Sequence, residues 1–245
     1  MKRFKHALSR GAALSCALAQ LAFSHVAQAA DASADGRADD SLGTHQRHVR
    51  LDLGARIQVV SDEGLDPFAT NDVIGQFSPQ ASIVLWAQRR LSLAAVVGFD
   101  VGGREANARS DRAELDLRRF ILAPEARYHL LRVLVLTAKV GPTVTRQEVE
   151  VRGGLGSTLR DVAWKMGVDA TAGAAVELFG YHSGASRKPR VWLTGEAGYG
   201  WTAPMEIVLR PENAGAVPQR LAPLRLPDLS VAGPLFRLTG ALSFW

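Results

Sequence analysis

The stretch Pro234 to Trp245, PLFRLTGALSFW, alternates apolar with small or polar residues and closes on two aromatics. Phe236, Leu238, Leu242 and Phe244 share one face of an extended chain; Arg237, Thr239, Ala241 and Ser243 share the other. A period of two with apolar residues on one side predicts a strand with a single greasy face. Upstream segments repeat the pattern behind an export signal, which together predicts a small barrel whose apolar face meets lipid.

The clearest of these segments runs from Val49 to Val59, where Val49, Leu51, Leu53, Ala55, Ile57 and Val59 alternate with Arg50, Asp52, Gly54, Arg56 and Gln58. Phe77 to Gln88 and Leu91 to Val101 read as a hairpin closed by a tight turn at Arg89-Arg90. The fourth strand, Ala113 to Leu130, changes phase between Leu117 and Phe120, so a bulge is expected near Arg118-Arg119. Beyond it Phe120, Leu122, Ala126, Tyr128 and Leu130 would face outward, with Arg119, Glu125, Arg127 and His129 inward. Leu134 to Thr145, Trp164 to Leu178 and Val191 to Trp201 complete a set of eight with Pro234 to Trp245. Polar loops are expected after the first strand, over Gly102 to Asp111, over Glu148 to Asp161 and over the Pro-punctuated Pro204 to Gly233; the other connections are short. Long connections at one end and short ones at the other predict an all-β, eight-stranded antiparallel up-and-down transmembrane β-barrel.

The amino-terminal residues read as a secretory signal. Lys2, Arg3, Lys5 and Arg10 give a basic start, Gly11 to Phe23 is uncharged and apolar, and Ala27-Gln28-Ala29 is a small-x-small exit with cleavage after Ala29 or Ala30. The organisation expected is a cleaved signal over 1–30, a mobile polar leader over 31–48 and the barrel over 49–245. Cys16, the one cysteine, lies within the signal, so the mature chain has neither a disulfide framework nor a thiolate metal site. The whole chain carries 29 Lys+Arg against 24 Asp+Glu, but four of those bases leave with the signal, so 25 face 24. The near balance leaves no basic stripe to neutralise phosphates, which argues against a nucleic-acid partner.

A soluble barrel or sandwich would alternate in the same way. Two features favour lipid outside. Charges recur on the polar face, interleaved with Gly, Ala, Thr and Ser that suit a narrow lumen. Aromatics on the apolar face gather at strand ends: Phe77, Phe99, Trp164, Tyr199, Trp201 and Phe236 towards the loops, and Tyr128, Phe179 and Phe244 towards the turns. Such belts belong at membrane interfaces, where a ring meets both headgroups and chains.

From Val49 to Trp245 the chain thus resembles the small eight-stranded outer-membrane barrels, the OmpA-like and lipid A-modifying class, in topology, export signal and terminal strand. The resemblance implies a place in the bacterial outer membrane, contact with its lipid and lipopolysaccharide, and delivery by the barrel-insertion machinery. It further implies a terminal outward-facing aromatic as the insertion signal. Trp245 is terminal, but Phe244 carries the apolar phase, so the two are rivals for that role.

A barrel of eight strands is too narrow for an open aqueous channel once its inward side chains are counted. Arg50, Asp52, Arg56, Asp100, Glu125, Arg127, Lys139, Asp169, Glu196 and Arg237 are therefore read as a lumen charge network in which opposite signs pair and hold the wall closed. No catalytic set stands out. Tyr181-His182-Ser183 falls in a turn, His129 has no evident serine beside it, and Gly153-Gly154-Leu155-Gly156 precedes no helix that could complete a phosphate cradle. No metal spacing or cofactor motif is present. The expectation is a non-enzymatic structural or surface-interaction protein of unknown surface ligand. A lipid-modifying enzyme and a narrow channel are the alternatives, and Pro204 to Gly233 serves as a lid or a binding loop.

Overall fold

A computed structural model describes residues 49–69, 71–108, 111–131, 133–153, 158–179, 189–211 and 224–244. The expected signal and leader, the Tyr181-His182-Ser183 turn, Gly154 to Gly156 and Trp245 lie outside the described residues. Eleven strands form among the described residues: β1 (Val49–Val59), β2 (Val73–Phe77), β3 (Gln80–Gln88), β4 (Leu91–Ala108), β5 (Asp111–Leu131), β6 (Leu134–Arg152), β7 (Thr158–Phe179), β8 (Arg190–Thr202), β9 (Met205–Pro211), β10 (Leu224–Leu229) and β11 (Gly233–Phe244). β2 and β3 are two halves of one wall strand, since both lie between β1 and β4 and are separated only by Ser78-Pro79. Around the ring, antiparallel pairing runs β1, β2/β3, β4, β5, β6, β7, β8 and β11, and β11 returns to β1 over Val49↔Phe244 to Gln58↔Leu235. The protein is thus a closed eight-stranded up-and-down barrel, and its wall has no free edge where the ring is complete.

Parity decides what each side of the wall presents. Leu51, Leu53 and Ile57 of β1, Phe120 and Leu122 of β5, Met166 and Val168 of β7 and Leu238 and Leu242 of β11 all point outward and are exposed. Their inward neighbours, among them Arg56, Arg119, Asp169 and Arg237, are buried. An apolar outer face along the 11 residues of β1 matches the roughly 9–11 that a tilted strand needs to cross the hydrocarbon.

The strands are unequal, and the inequality builds a second core. β4 to β7 run for 18, 21, 19 and 22 residues, against 11 to 13 for β1, β8 and β11. The stretches expected as loops over Gly102 to Asp111 and Glu148 to Asp161 are therefore largely strand, continuing the wall beyond the apolar band. There the polarity inverts. Leu115, Leu117 and Val149 point inward and are fully buried, packing with Val60, Leu65 and Phe68 from the β1–β2 connection, with Ile74 of β2, and with Met205, Ile207, Leu209, Leu229 and Val231. Each such side chain contributes about 1.5–3 kcal/mol on burial.

Two expectations change as a result. No bulge occurs near Arg118-Arg119, because β5 holds unbroken register with both neighbours from Arg112 to Ile121. Leu115, Leu117, Arg119 and Ile121 all face inward on one uninterrupted phase; what changes along the strand is the surrounding medium. The described parts of Pro204 to Gly233 are also more regular than the prolines suggest. Pro204 separates β8 from β9, Pro211 ends β9, and Pro227 falls in the short outer strand β10, where the register slips between Leu226 and Leu229. This hairpin is a lid packed on its own protein. Asp161 Oδ2 accepts from the Val208 amide at 2.9 Å, and Asp62 Oδ2 accepts from the Ser230 amide at 3.3 Å.

Candidate functional site

Inward positions on neighbouring strands bring the lumen side chains into one connected set. Arg56 reaches across the barrel, donating from Nη1 to Asp100 Oδ2 at 2.7 Å and to Asp169 Oδ2 at 2.6 Å, while its Nη2 donates to Gln58 at 2.8 Å. Arg119 donates to Asp169 Oδ1 at 3.1 Å, to Thr145 at 3.1 Å and to Thr202 at 3.0 Å. Arg237 joins this tier to the next, bonding Asp100 Oδ2 at 3.4 Å and Glu196 Oε2 at 3.1 Å. Lys139 continues the chain to Glu196 at 2.8 Å and Gln80 at 2.9 Å, with Glu125 at 3.9 Å. Arg127 bonds Glu125 and donates to Ser82 at 2.6 Å, and nearer the turns Arg50 bonds Asp52 at 2.6 Å and also Thr194.

All ten side chains expected in the lumen are buried there. Arg119 belongs with them and is fully buried at the centre, although the expected set omitted it; its parity with Glu125 and Arg127 was the available signal. Ser78 was also missed. The Ser78-Pro79 interruption turns its hydroxyl inward, where it donates to Asp100 Oδ1 at 2.6 Å and accepts from Arg237 Nε at 3.0 Å. Burying charges costs several kcal/mol per ion, and the cost is recovered only where geometry is good and the remaining lone pairs are satisfied. Shared carboxylates, each held by more than one donor, meet that condition.

A cluster of buried apolar side chains lies at each end of this set. Towards the loops lies the apolar core described above. Towards the turns Trp192 enters the lumen with Val135, Ala175 and Ala241, its indole N–H donating to Ser243 Oγ at 2.9 Å. Trp192 shares the inward phase of Thr194 and Glu196, which is how the sequence could have revealed it.

The chemistry available inside is limited. His129 is the one histidine among the described residues, and neither its Nε2 nor Ser92 Oγ has a hydrogen-bond partner, so they form no nucleophile–base couple. No metal-binding group of His, Asp and Glu occurs among the described residues.

On the outer wall Phe77, Trp164 and Phe236 are exposed, while Phe99, Tyr128, Tyr199, Trp201 and Phe244 are half-buried. Phe99, Phe120 and Trp164 form a continuous shelf, with ring centroids 4.6 Å apart for the first pair and 6.4 Å for the second. Beyond it the outward residues of β5 and β6 are charged and opposed like to like: Arg118↔Arg146, Asp116↔Glu148, Glu114↔Glu150 and Arg112↔Arg152. Compensation comes along each strand, as in Arg146–Glu148 at 2.5 Å and Arg112–Glu114 at 3.4 Å, and from the strands beyond, as in Arg160–Glu148 and Arg112–Glu105.

No known protein family and no curated protein matches the sequence. Among solved structures the chain is similar to Ail, the attachment invasion locus protein of Yersinia pestis, at 8% identity and a TM-score of 0.45, covering 81% of this chain and 99% of that one. It is similar to the outer membrane protease OmpT from Escherichia coli at 8% identity and a TM-score of 0.44, covering 81% and 97%. Acinetobacter baumannii CarO aligns at 12% identity and a TM-score of 0.31, over 78% and 97%. The assignment as an eight-stranded barrel rests on the closed ring of pairings in this chain.

Proposed function

We propose that the protein is a non-enzymatic outer-membrane barrel whose lumen is a clamp and whose loop end is an interaction surface. The observation that carries this reading is the cross-paired set of lumen charges with an apolar cluster at each end. Its ion pairs are spent on one another, with an apolar core at one end and Trp192 at the other, which supports a clamp over a path for transport. What is left to meet a partner is the charged outer surface of the β4–β7 extension and the lid. Export through a signal cleaved after Ala29 or Ala30, insertion signalled by Phe244 or Trp245, and a setting among outer-membrane lipid and lipopolysaccharide belong to the same reading.

Its test is fractionation of cells expressing the full chain, with the outer-membrane fraction run on gels before and after boiling. A heat-dependent mobility shift in that fraction is the expected result, together with an amino terminus at Ala30 or Asp31. Recovery as a soluble periplasmic protein would overturn it. Planar-bilayer recordings address the channel alternative: discrete conductance steps from the intact protein would restore it.

A further inference from the structure

The like-charged row nearest the apolar band calls for a counter-ion that the described residues do not supply. Arg118 and Arg146 are direct cross-strand partners on β5 and β6, and like charges so placed repel. Arg146 bonds Glu148, but Glu148 is shared with Arg160. Arg118 is exposed and forms no ion pair among the described residues, not even with Asp116 two positions away on its own strand. Two residues along β5, about 7 Å towards the membrane, lies Phe120, and the Cα partner of Arg146 on β7 is Trp164. The arginines thus stand on the Phe99–Phe120–Trp164 shelf, at the level where hydrocarbon gives way to headgroups.

We propose that Arg118 and Arg146 form a binding site for the phosphate of an anionic outer-leaflet lipid, whose acyl chains lie against the aromatic shelf. The proposal rests on the reading of the apolar band as lipid-facing. Charge complementarity and continuity with that band select a lipid-borne phosphate. Two guanidinium groups can each give a forked pair of donors to one phosphate, which relieves their mutual repulsion. The aromatic rings below supply the contact that a soluble anion would not use.

The experiment takes the full chain extracted from the membrane into detergent micelles and measures retention of bis-phosphorylated and of dephosphorylated lipid A by native mass spectrometry. Dephosphorylation is expected to weaken binding about tenfold, the scale of one charge-assisted hydrogen bond. Arg118→Gln and Arg146→Gln should each weaken binding of the phosphorylated lipid similarly and remove most of the preference for phosphate. Glu148→Gln, which leaves both arginines in place and releases Arg146, should tighten it. That variant decides the matter should the arginine variants not fold. Retention that ignores phosphate, as when an acidic protein is the real occupant, or a Glu148→Gln variant that binds no tighter, overturns the proposal. The gel shift on boiling separates the two readings. Its absence from the wild-type protein removes the membrane barrel itself; its presence with phosphate-blind retention removes only this site.

Discussion

Asp169 shows how much one residue holds together here. Its carboxylate takes Arg56 from β1 and Arg119 from β5 while standing on β7, so it ties three parts of the ring across the lumen. Asp169→Asn keeps the shape but leaves two buried guanidinium groups with one carboxylate, Asp100, between them. Breaking a buried pair in this way costs about 3–5 kcal/mol, and urea unfolding followed by the gel shift should register a loss of that size. Arg89 is the opposite case. It holds the β3–β4 turn at a φ of 49°, a left-handed conformation that costs a side chain about 1 kcal/mol and glycine almost nothing. Arg89→Gly should therefore leave the midpoint unchanged or raise it slightly, and a clear loss would mean that the side chain has contacts which matter.

Among the elements, the seam between β5 and β6 has an interruption inside the apolar band. Their pairing runs to Ile121↔Thr143 and resumes at Glu125↔Lys139. Pro124 and Pro142, one on each strand, have no N–H to give within it. The strands stay close, since a side chain at Gly141 would lie 2.2 Å from the Leu122 carbonyl. Amide exchange in micelles should be faster at Leu122 and Val140 than at outward positions of the β7–β8 seam. Pro142→Val, which restores a donor, should slow exchange at its neighbours, and uniform protection across both seams would contradict this account. The lid is a separate element with a separate prediction. Ile207→Asp puts a charge into its fully buried core, so protease should cut around β9 and β10 while the gel shift survives; loss of both together would mean that lid and barrel fold as one unit.

For the molecule as a whole, legibility in the sequence followed the solvent. Where the outer face is apolar, alternation gave strand, phase and even the inward set, because Arg56, Lys139 and Arg237 each stand opposite an apolar neighbour. Above that band the same period carries the reverse meaning. Leu115 and Leu117 point to the same interior as Arg119, and periodicity alone registers this as a slip of phase since it cannot say which side is wet. The lumen pairs were legible only as a list of participants. Arg56 and Asp169 are 113 residues apart in the chain, and which carboxylate meets which guanidinium depends on how far the strands are staggered around the ring.

The apolar core at the loop end draws on both ends of the chain, with Val60, Leu65 and Phe68 following β1 and Leu229 and Val231 preceding β11. β1 and β11 are also the pair that closes the ring, and Gly233 lets them meet tightly, since a side chain there would strike the Val59 carbonyl at 1.8 Å. The core therefore straddles the join between the two ends of the chain, and it cannot be complete until both flanking segments have reached it. Ring closure and core assembly are thereby coupled: parting β1 from β11 would mean dissolving that core first.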